Sequence, residues 1–309
     1  MIAASIDIGT NTTLALLAES DRNGLKPLRD QLTSNRLGET LRPDGTLPAD
    51  IIALNVDLLG EIARDFRREG AEEFALAGTS ALRRAQNREQ FISAVRDILG
   101  FQVEVIGGRD EAALTYLGAV SNRELFPQER VCVMDLGGGS TEIVEGHGYL
   151  PGEGYSIDVG SSYLTKEFFT NNPPTAVETA TLRKNLRDRL PGLVANLRGA
   201  KIPWILVGGT AVTLAIFKAG LRRYDPEKIG GSTLTIDDIE GLIGQFTGKS
   251  ADELQVRPGM PIGRGKTILA GSILLEEMFR ALEITEGTVS ERGLRHGLWL
   301  TRFGERQEG

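Results

Sequence analysis

One strand–turn–strand unit occurs twice in this chain. The apolar run 2–8 passes through Gly9-Thr10-Asn11-Thr12 into a second apolar run at 14–18, which reads as a strand, a tight polar turn and a returning strand. Much later, 131–136 runs into Gly137-Gly138-Gly139-Ser140-Thr141 and out through Glu142-Ile143-Val144. Aligning Asp7-Ile8-Gly9 with Asp135-Leu136-Gly137 gives an internal duplication at domain scale, each copy with an acidic strand end and a glycine-bearing hairpin. Two copies of one device are expected to face each other.

The remaining pattern alternates helices and strands. Helical periodicity covers 51–66, a strand 73–77, and Ser80 is expected to cap one helix reaching 99, with Phe91, Val95 and Ile98 buried. A strand at 102–106 precedes a helix at 110–120, whose apolar stripe is Ala113, Tyr116, Leu117 and Val120, with Glu111 pointing away from it. In the second half the pattern predicts strands within 131–158, a helix at 175–197, a strand at 204–207, and a small-residue helix entered through Gly208-Gly209-Thr210. Helices at 267–282 and 291–302 follow. This alternation makes the class α/β. The expected domains are 1–121 and 122–309, divided at Ser121-Asn122-Arg123-Glu124 and Pro127, with the segment 291–309 packing back on the first and the tail from Gly304 frayed.

Composition narrows the function. With 35 Lys+Arg against 42 Asp+Glu, the net charge of −7 speaks against general nucleic-acid binding, although a local basic groove remains compatible with it. The clusters Arg222-Arg223, Arg257/Arg264/Lys266 and Arg292/Arg295 are candidates for such a groove. The uncharged stretch 202–217 is shorter than the roughly 18 residues of a membrane span and is broken by Pro203, Gly208 and Gly209. The N-terminus lacks the basic start and apolar core of a signal peptide, and a lone Cys132 forms no intrachain disulfide, so a cytoplasmic location is expected. Cys132 reads as a packing residue, and neither His147 nor His296 has an evident chemical partner.

Glycine-rich hairpins let backbone amides approach anionic oxygens, and carboxylates at the adjoining strand ends suit a divalent cation that bridges protein and phosphate. Spacing alone leaves Glu142 as either a cation partner or a solvent-facing strand residue like Glu145. Glu111, in the first turn of a helix, is explained either by the helix dipole or by a catalytic role, with Gly107-Gly108 allowing a tight entry that aims it into a cleft. The opening Thr79-Ser80-Ala81-Leu82-Arg83-Arg84 offers hydroxyls, amides and positive charge to an anion.

In order, these elements resemble the actin/Hsp70/sugar-kinase ATPase core, and within it the exopolyphosphatase/guanosine pentaphosphatase family. The matching segments are Asp7-Ile8-Gly9-Thr10-Asn11, Thr79 to Arg83 with Asn87, Gly108-Arg109-Asp110-Glu111-Ala112, Asp135 to Glu142, and Val289-Ser290-Glu291-Arg292-Gly293-Leu294-Arg295. The resemblance implies two ribonuclease-H-like domains facing each other across a cleft. It implies hydrolysis of the terminal phosphate of inorganic polyphosphate, or of guanosine pentaphosphate, with Mg²⁺ or Mn²⁺. It casts Glu111 as the residue that orients or deprotonates water, Asp135 and Glu142 as the metal-associated acids, and Arg83 as a phosphate clamp. Phosphate oxygens would be held by Asp7, Gly9, Thr10, Asn11, Thr12, Gly137, Gly138, Gly139, Ser140 and Thr141, by Gly208, Gly209 and Thr210, and by Arg264 and Lys266. A homodimer is a further carry-over. Tyr163 stands where the family pattern has a basic residue and Lys266 where it often has an acid. Longer members continue into helical domains that hold long polymers, so processive digestion of very long chains is not part of the expectation. Rival readings are a kinase of the same superfamily and a non-catalytic sensor of nucleotide or polyphosphate.

Overall fold

The computed structural model describes residues 1–20, 24–122, 126, 130–197 and 202–304. The first half contains β1 (Ile2–Ile8), β2 (Thr12–Glu19), β3 (Lys26–Ser34), α1 (Leu37–Thr40), α2 (Ala49–Arg68), β4 (Glu73–Gly78), α3 (Ser80–Arg84), α4 (Arg88–Leu99), β5 (Val103–Val105) and α5 (Gly108–Val120). There follow β6 (Arg130–Leu136), β7 (Thr141–His147), β8 (Leu150–Ile157), α6 (Ser161–Phe168), α7 (Ala176–Leu193), β9 (Trp204–Val207), α8 (Gly209–Lys218) and α9 (Pro226–Ile229). The chain continues with β10 (Thr233–Thr235), α10 (Ile236–Phe246), α11 (Ala251–Gln255), α12 (Ile268–Leu282), β11 (Glu286–Val289) and α13 (Leu294–Phe303).

Each half builds one sheet, and the two sheets share a topology. The first has order β3-β2-β1-β4-β5 and the second β10-β11-β9-β6-β7-β8, so β1 and β6 are equivalent central strands. Each pairs antiparallel with the strand after its hairpin and parallel with the strand after a crossover. The register makes the duplication exact at the strand ends: Asp7 lies opposite Leu14, and Asp135 opposite Glu142. The second sheet therefore carries an acid where the first carries leucine.

Apolar burial holds these layers. Helices α2 and α4 cover one face of the first sheet through Ile52, Val56, Leu59, Phe66, Phe91 and Val95, while α7, α8, α10 and α12 cover one face of the second. The other two faces meet through a pair of helices. Although it precedes the expected boundary, α5 packs Ala112, Tyr116, Ala119 and Val120 on the second sheet, against Val131, Val133, Val144 and Ile205. The last helix, α13, packs on the first sheet, where Trp299 Nε1 donates to the Ala3 carbonyl at 2.9 Å and Ser5 Oγ donates to the Arg295 carbonyl at 2.6 Å.

Several expectations are corrected. The helix drawn from 80 to 99 is two helices, because Ala85 is extended and the Asn87 amide is held by the Leu47 backbone, at 2.8 Å from its nitrogen and 3.0 Å from its oxygen. Ser80 is a buried helical residue and not the cap. Ile98 is 68% exposed; the residue that packs is the next one, Leu99. On α5, Ala113 and Leu117 are only half-buried while Glu111 is buried, since neighbours lie on both sides of this helix. Three of the clustered arginines are engaged within the protein. Arg257 stacks 4.7 Å from the Phe217 ring centroid, Arg295 is buried against Asp30, and Arg292 is half-buried with its Nη1 3.1 Å from Ser121 Oγ. Cys132 is buried in β6 with its thiol pushed up to about 12 by burial, and buried His296 accepts from the Gly293 nitrogen at 3.3 Å. No helix among the described residues is long and apolar enough to cross a membrane. The expected divide at Arg123, Glu124 and Pro127, and the tail beyond Gly304, lie outside the described residues.

Candidate active site

The two hairpins are closed by the same hydrogen bond and they touch. In the first, Gly9 N donates to the Thr12 carbonyl at 3.0 Å; in the second, Gly137 N donates to the Ser140 carbonyl at the same 3.0 Å. A Cβ on Gly139 would lie 2.6 Å from Ser80 Oγ and 2.9 Å from Thr10 Oγ1, so the second turn needs glycine to let the first approach. Asn11 Nδ2 donates to Ser162 Oγ at 2.5 Å across the same seam. Ser162 stands at the start of α6, where Ser162 N and Tyr163 N donate to the Gly138 carbonyl at 2.8 and 3.0 Å. The hairpins thus adjoin as the duplication requires, but the space between them is filled by Thr10 and Ser80 side chains.

Behind this seam lie four acids. Asp7 and Asp135 end the equivalent strands, Glu142 comes from β7, and Glu111 from the first turn of α5. Burial is the largest influence on each and raises its pKa. Glu111, 8% exposed, is pushed up to about 7; Arg83 opposes the shift and Asp135 adds to it. Asp135 is pushed up to about 6, again by burial, with Thr115, Arg264 and Arg295 opposing. Glu142, 2% exposed, is raised well above the usual carboxylate range by burial and by the negative charge of Glu111 and Asp135. Asp7 is raised by burial, Glu111 and Asp135. The acids feel one another, so these residues from both halves form one electrostatic unit.

Each acid is held. Arg83 Nη1 donates to Glu111 Oε2 and, at 3.2 Å, to the Ile106 carbonyl, which fixes the guanidinium between β5 and α5. Ser156 Oγ donates to Glu142 Oε1 at 2.7 Å. Thr115 Oγ1 lies 3.4 Å from Asp135 Oδ2. Asp7 Oδ1 is buried without a hydrogen-bond partner among the described residues. Gly108 has a specific cause: a Cβ there would lie 2.5 Å from the Ser156 Cβ, so glycine lets the start of the Glu111 helix pass over the residue that holds Glu142. This is close packing, where the sequence suggested a tight entry turn.

Arg264 reaches this floor. Its half-buried guanidinium covers Gly209, leaving no room for a side chain there, and its charge is felt by Asp135. Gly208 adjoins Asp135 Oδ1, 2.6 Å from the position of its absent Cβ. Four of the residues expected to hold phosphate have protein partners here. Thr141 Oγ1 donates to the Val159 carbonyl at 2.7 Å, and Thr210 packs its hydroxyl 2.5 Å from the Cβ position of Gly271 on α12. Thr12 contributes the turn-closing carbonyl, and Lys266 Nζ donates to Glu39 Oε1 at 2.8 Å. Sequence reasoning missed Ser156, Thr115 and Arg295 as neighbours of the acids, and Ser162 as a neighbour of the hairpins. Thr115 alone had a signal, because it follows Glu111 by one helical turn.

The chain matches the Ppx/GppA phosphatase family over residues 16–305. Exopolyphosphatase 2 of Mycobacterium tuberculosis is 31% identical over 315 residues, covering 97% of this chain and 98% of the relative. Exopolyphosphatase 1 of Mycobacterium leprae is 28% identical over 98% of this chain and 90% of the relative. Among solved structures, the Ppx/GppA family member of Aquifex aeolicus aligns with a TM-score of 0.82 at 31% identity, covering 97% of both chains. An exopolyphosphatase-like protein aligns at 0.88 with 27% identity, covering 99% of this chain and 98% of the other. The duplicated sheets, the acids at their strand ends and these full-length matches agree, and the chain belongs to the Ppx/GppA phosphatase family.

Proposed function

We propose that this protein is an exopolyphosphatase: it hydrolyses the terminal phosphoanhydride bond of inorganic polyphosphate, with a divalent cation, in the reducing cytoplasm that its lone buried Cys132 suits. The observation that carries the reading is that Glu111, Asp7, Asp135 and Glu142 lie within electrostatic reach of one another beside two touching glycine hairpins. The exopolyphosphatase names of the full-length relatives support it.

In this reading the terminal phosphate lies against the Gly138–Gly139 backbone, with Asn11, Ser162, Thr10 and Ser80 as hydrogen-bonding neighbours. Glu111 takes a proton from a water as its oxygen bonds to the terminal phosphorus and the bridging P–O bond breaks, giving phosphate and a chain one unit shorter. A carboxyl with its pKa near 7 is suited to that proton transfer at neutral pH. Arg83 keeps Glu111 aimed and offers positive charge to the phosphoryl oxygens.

Asp135 and Glu142, with Asp7 behind them, fit Mg²⁺ or Mn²⁺. These are hard oxygen donors whose negative charge is under-compensated, and Asp7 Oδ1 has no hydrogen-bond partner among the described residues. Among the described residues no three acids, histidines or cysteines stand close enough to chelate an ion unaided, so phosphate oxygens and water would complete the shell. When bound, the cation would supply charge neutralisation at the transferring phosphoryl group. The test is phosphate release from inorganic polyphosphate and from guanosine pentaphosphate, with and without Mg²⁺. Mg²⁺-dependent release from polyphosphate is expected; release from guanosine pentaphosphate alone would reassign the substrate, and none from either would end the hydrolase reading.

A further inference from the structure

The acids lie close to the hairpin seam, where Thr10, Ser80 and Ser162 adjoin Gly138 and Gly139. The first half presents α1 there, bonded directly to the first hairpin: Gly38 N donates to the Thr10 carbonyl at 2.6 Å and Glu39 N to Asn11 Oδ1 at 3.2 Å. The second half presents the short turn Arg264–Lys266, whose first residue covers Gly209 beside Asp135. Between them stands one ion pair, Lys266 Nζ to Glu39 Oε1 at 2.8 Å, with side chains 62% and 42% exposed.

We propose that Lys266 is an entry subsite for a polyanion and that Glu39 is its built-in competitor, a latch displaced by the incoming phosphate oxygens. The identity of the polyanion rests on the function proposed above. Three features favour a displaceable contact over a fixed brace. An exposed ion pair contributes little and is screened by salt, so a multiply charged anion displaces it readily. Glu39 has a second cation to keep, since Arg36 Nε lies 3.5 Å from its other carboxylate oxygen. Lys266 also borders a largely apolar pocket of about 220 Å³, walled by Phe169, Pro174 and Leu254, whose rim carries Lys249 as a second lysine near the displaced contact. The Lys266 hydrogen bond already holds the Glu39 carboxyl below its ordinary pKa, as expected of an anion seated on that ammonium.

The two halves of the latch make opposite predictions. In divalent-free buffer, inorganic tripolyphosphate is titrated into the parent, Glu39→Gln, Lys266→Gln and the double variant by calorimetry. Glu39→Gln, which frees the lysine, should bind about two- to five-fold more tightly, the range set by an exposed pair. Lys266→Gln should bind more weakly than the parent, and the double variant should match Lys266→Gln. A brace that only holds the halves together would move both single variants the same way, which overturns the proposal, as does an unchanged Glu39→Gln or no binding to any variant. If the divergent pattern appears but no phosphate is ever released with Mg²⁺, the entry subsite stands and the hydrolase reading falls. Release with parallel shifts does the reverse.

Discussion

Gly118 on α5 and Gly297 on α13 cross backbone to backbone: a Cβ on Gly118 would lie 3.0 Å from the Gly297 nitrogen, and one on Gly297 would collide with the Leu114 carbonyl. This crossing joins the helix that covers the first sheet to the helix that carries Glu111 over the second. The obstructing atoms are main chain, so no rotamer change relieves a substitution. Gly297→Ala should therefore lower stability by about 1–3 kcal/mol or more, read as a lower urea midpoint. Phosphate release by the molecules still folded should also fall, because Glu111 rides on α5.

Glu111→Gln tests the water-activating role. The amide keeps the shape and removes the base, so phosphate release should drop about 10²- to 10⁴-fold. Arg83 keeps its bond to the Ile106 carbonyl, and the variant should unfold no earlier than the parent at neutral pH, because it no longer buries a charge. Retained turnover would remove Glu111 from the chemistry.

The pH profile separates Arg83 as a tuner of Glu111. Burial raises Glu111 to about 7, and the charge and hydrogen bond of Arg83 oppose the rise. A base acts unprotonated, so kcat/KM should fall on the acid side, at or below about pH 7, with a bound cation moving the limb lower still. Arg83→Gln removes the opposing influence and should shift that limb to higher pH, beyond any loss in maximum rate. A limb that stays in place would leave Arg83 as a phosphate contact only.

The hairpins were legible because Asp-x-Gly at a strand end is a local pattern, and its repetition in equivalent strands exposed the topology. Burial of Glu111 was not, because α5 lies between α13 and the second sheet and has no single apolar face to read. Ser156 sits on β8, which sheet pairing brings to Glu142, and Ser162 on α6, which amide bonds to the hairpin carbonyls bring to the second turn. Strand β3 escaped notice because it is an edge strand, its sequence KPLRDQLTS half polar and mostly exposed. Lys266 was assigned by its charge, and a charge alone does not reveal that Glu39 already faces it.

The buried acids also make a prediction about stability that needs no substrate. Glu111 and Asp135 titrate near 7 and 6 in the folded protein and near 4 when unfolded, so between about pH 4 and 7 the native state binds more protons. Their contribution is fully present below the unfolded values and is lost as pH rises through the folded ones. In EDTA, the thermal midpoint should accordingly fall as pH rises from about 7 to 8, above the range in which buried His296, its pKa held well below the usual value, contributes with the opposite sign. Glu111→Gln should flatten that slope, since one of the titrating groups is gone. Mg²⁺ favours the ionised acids and competes with protons for them, so it should raise the midpoint more at the alkaline end than at the acid end. A Mg²⁺ effect equal at both ends would place the ion away from Asp135 and Glu142.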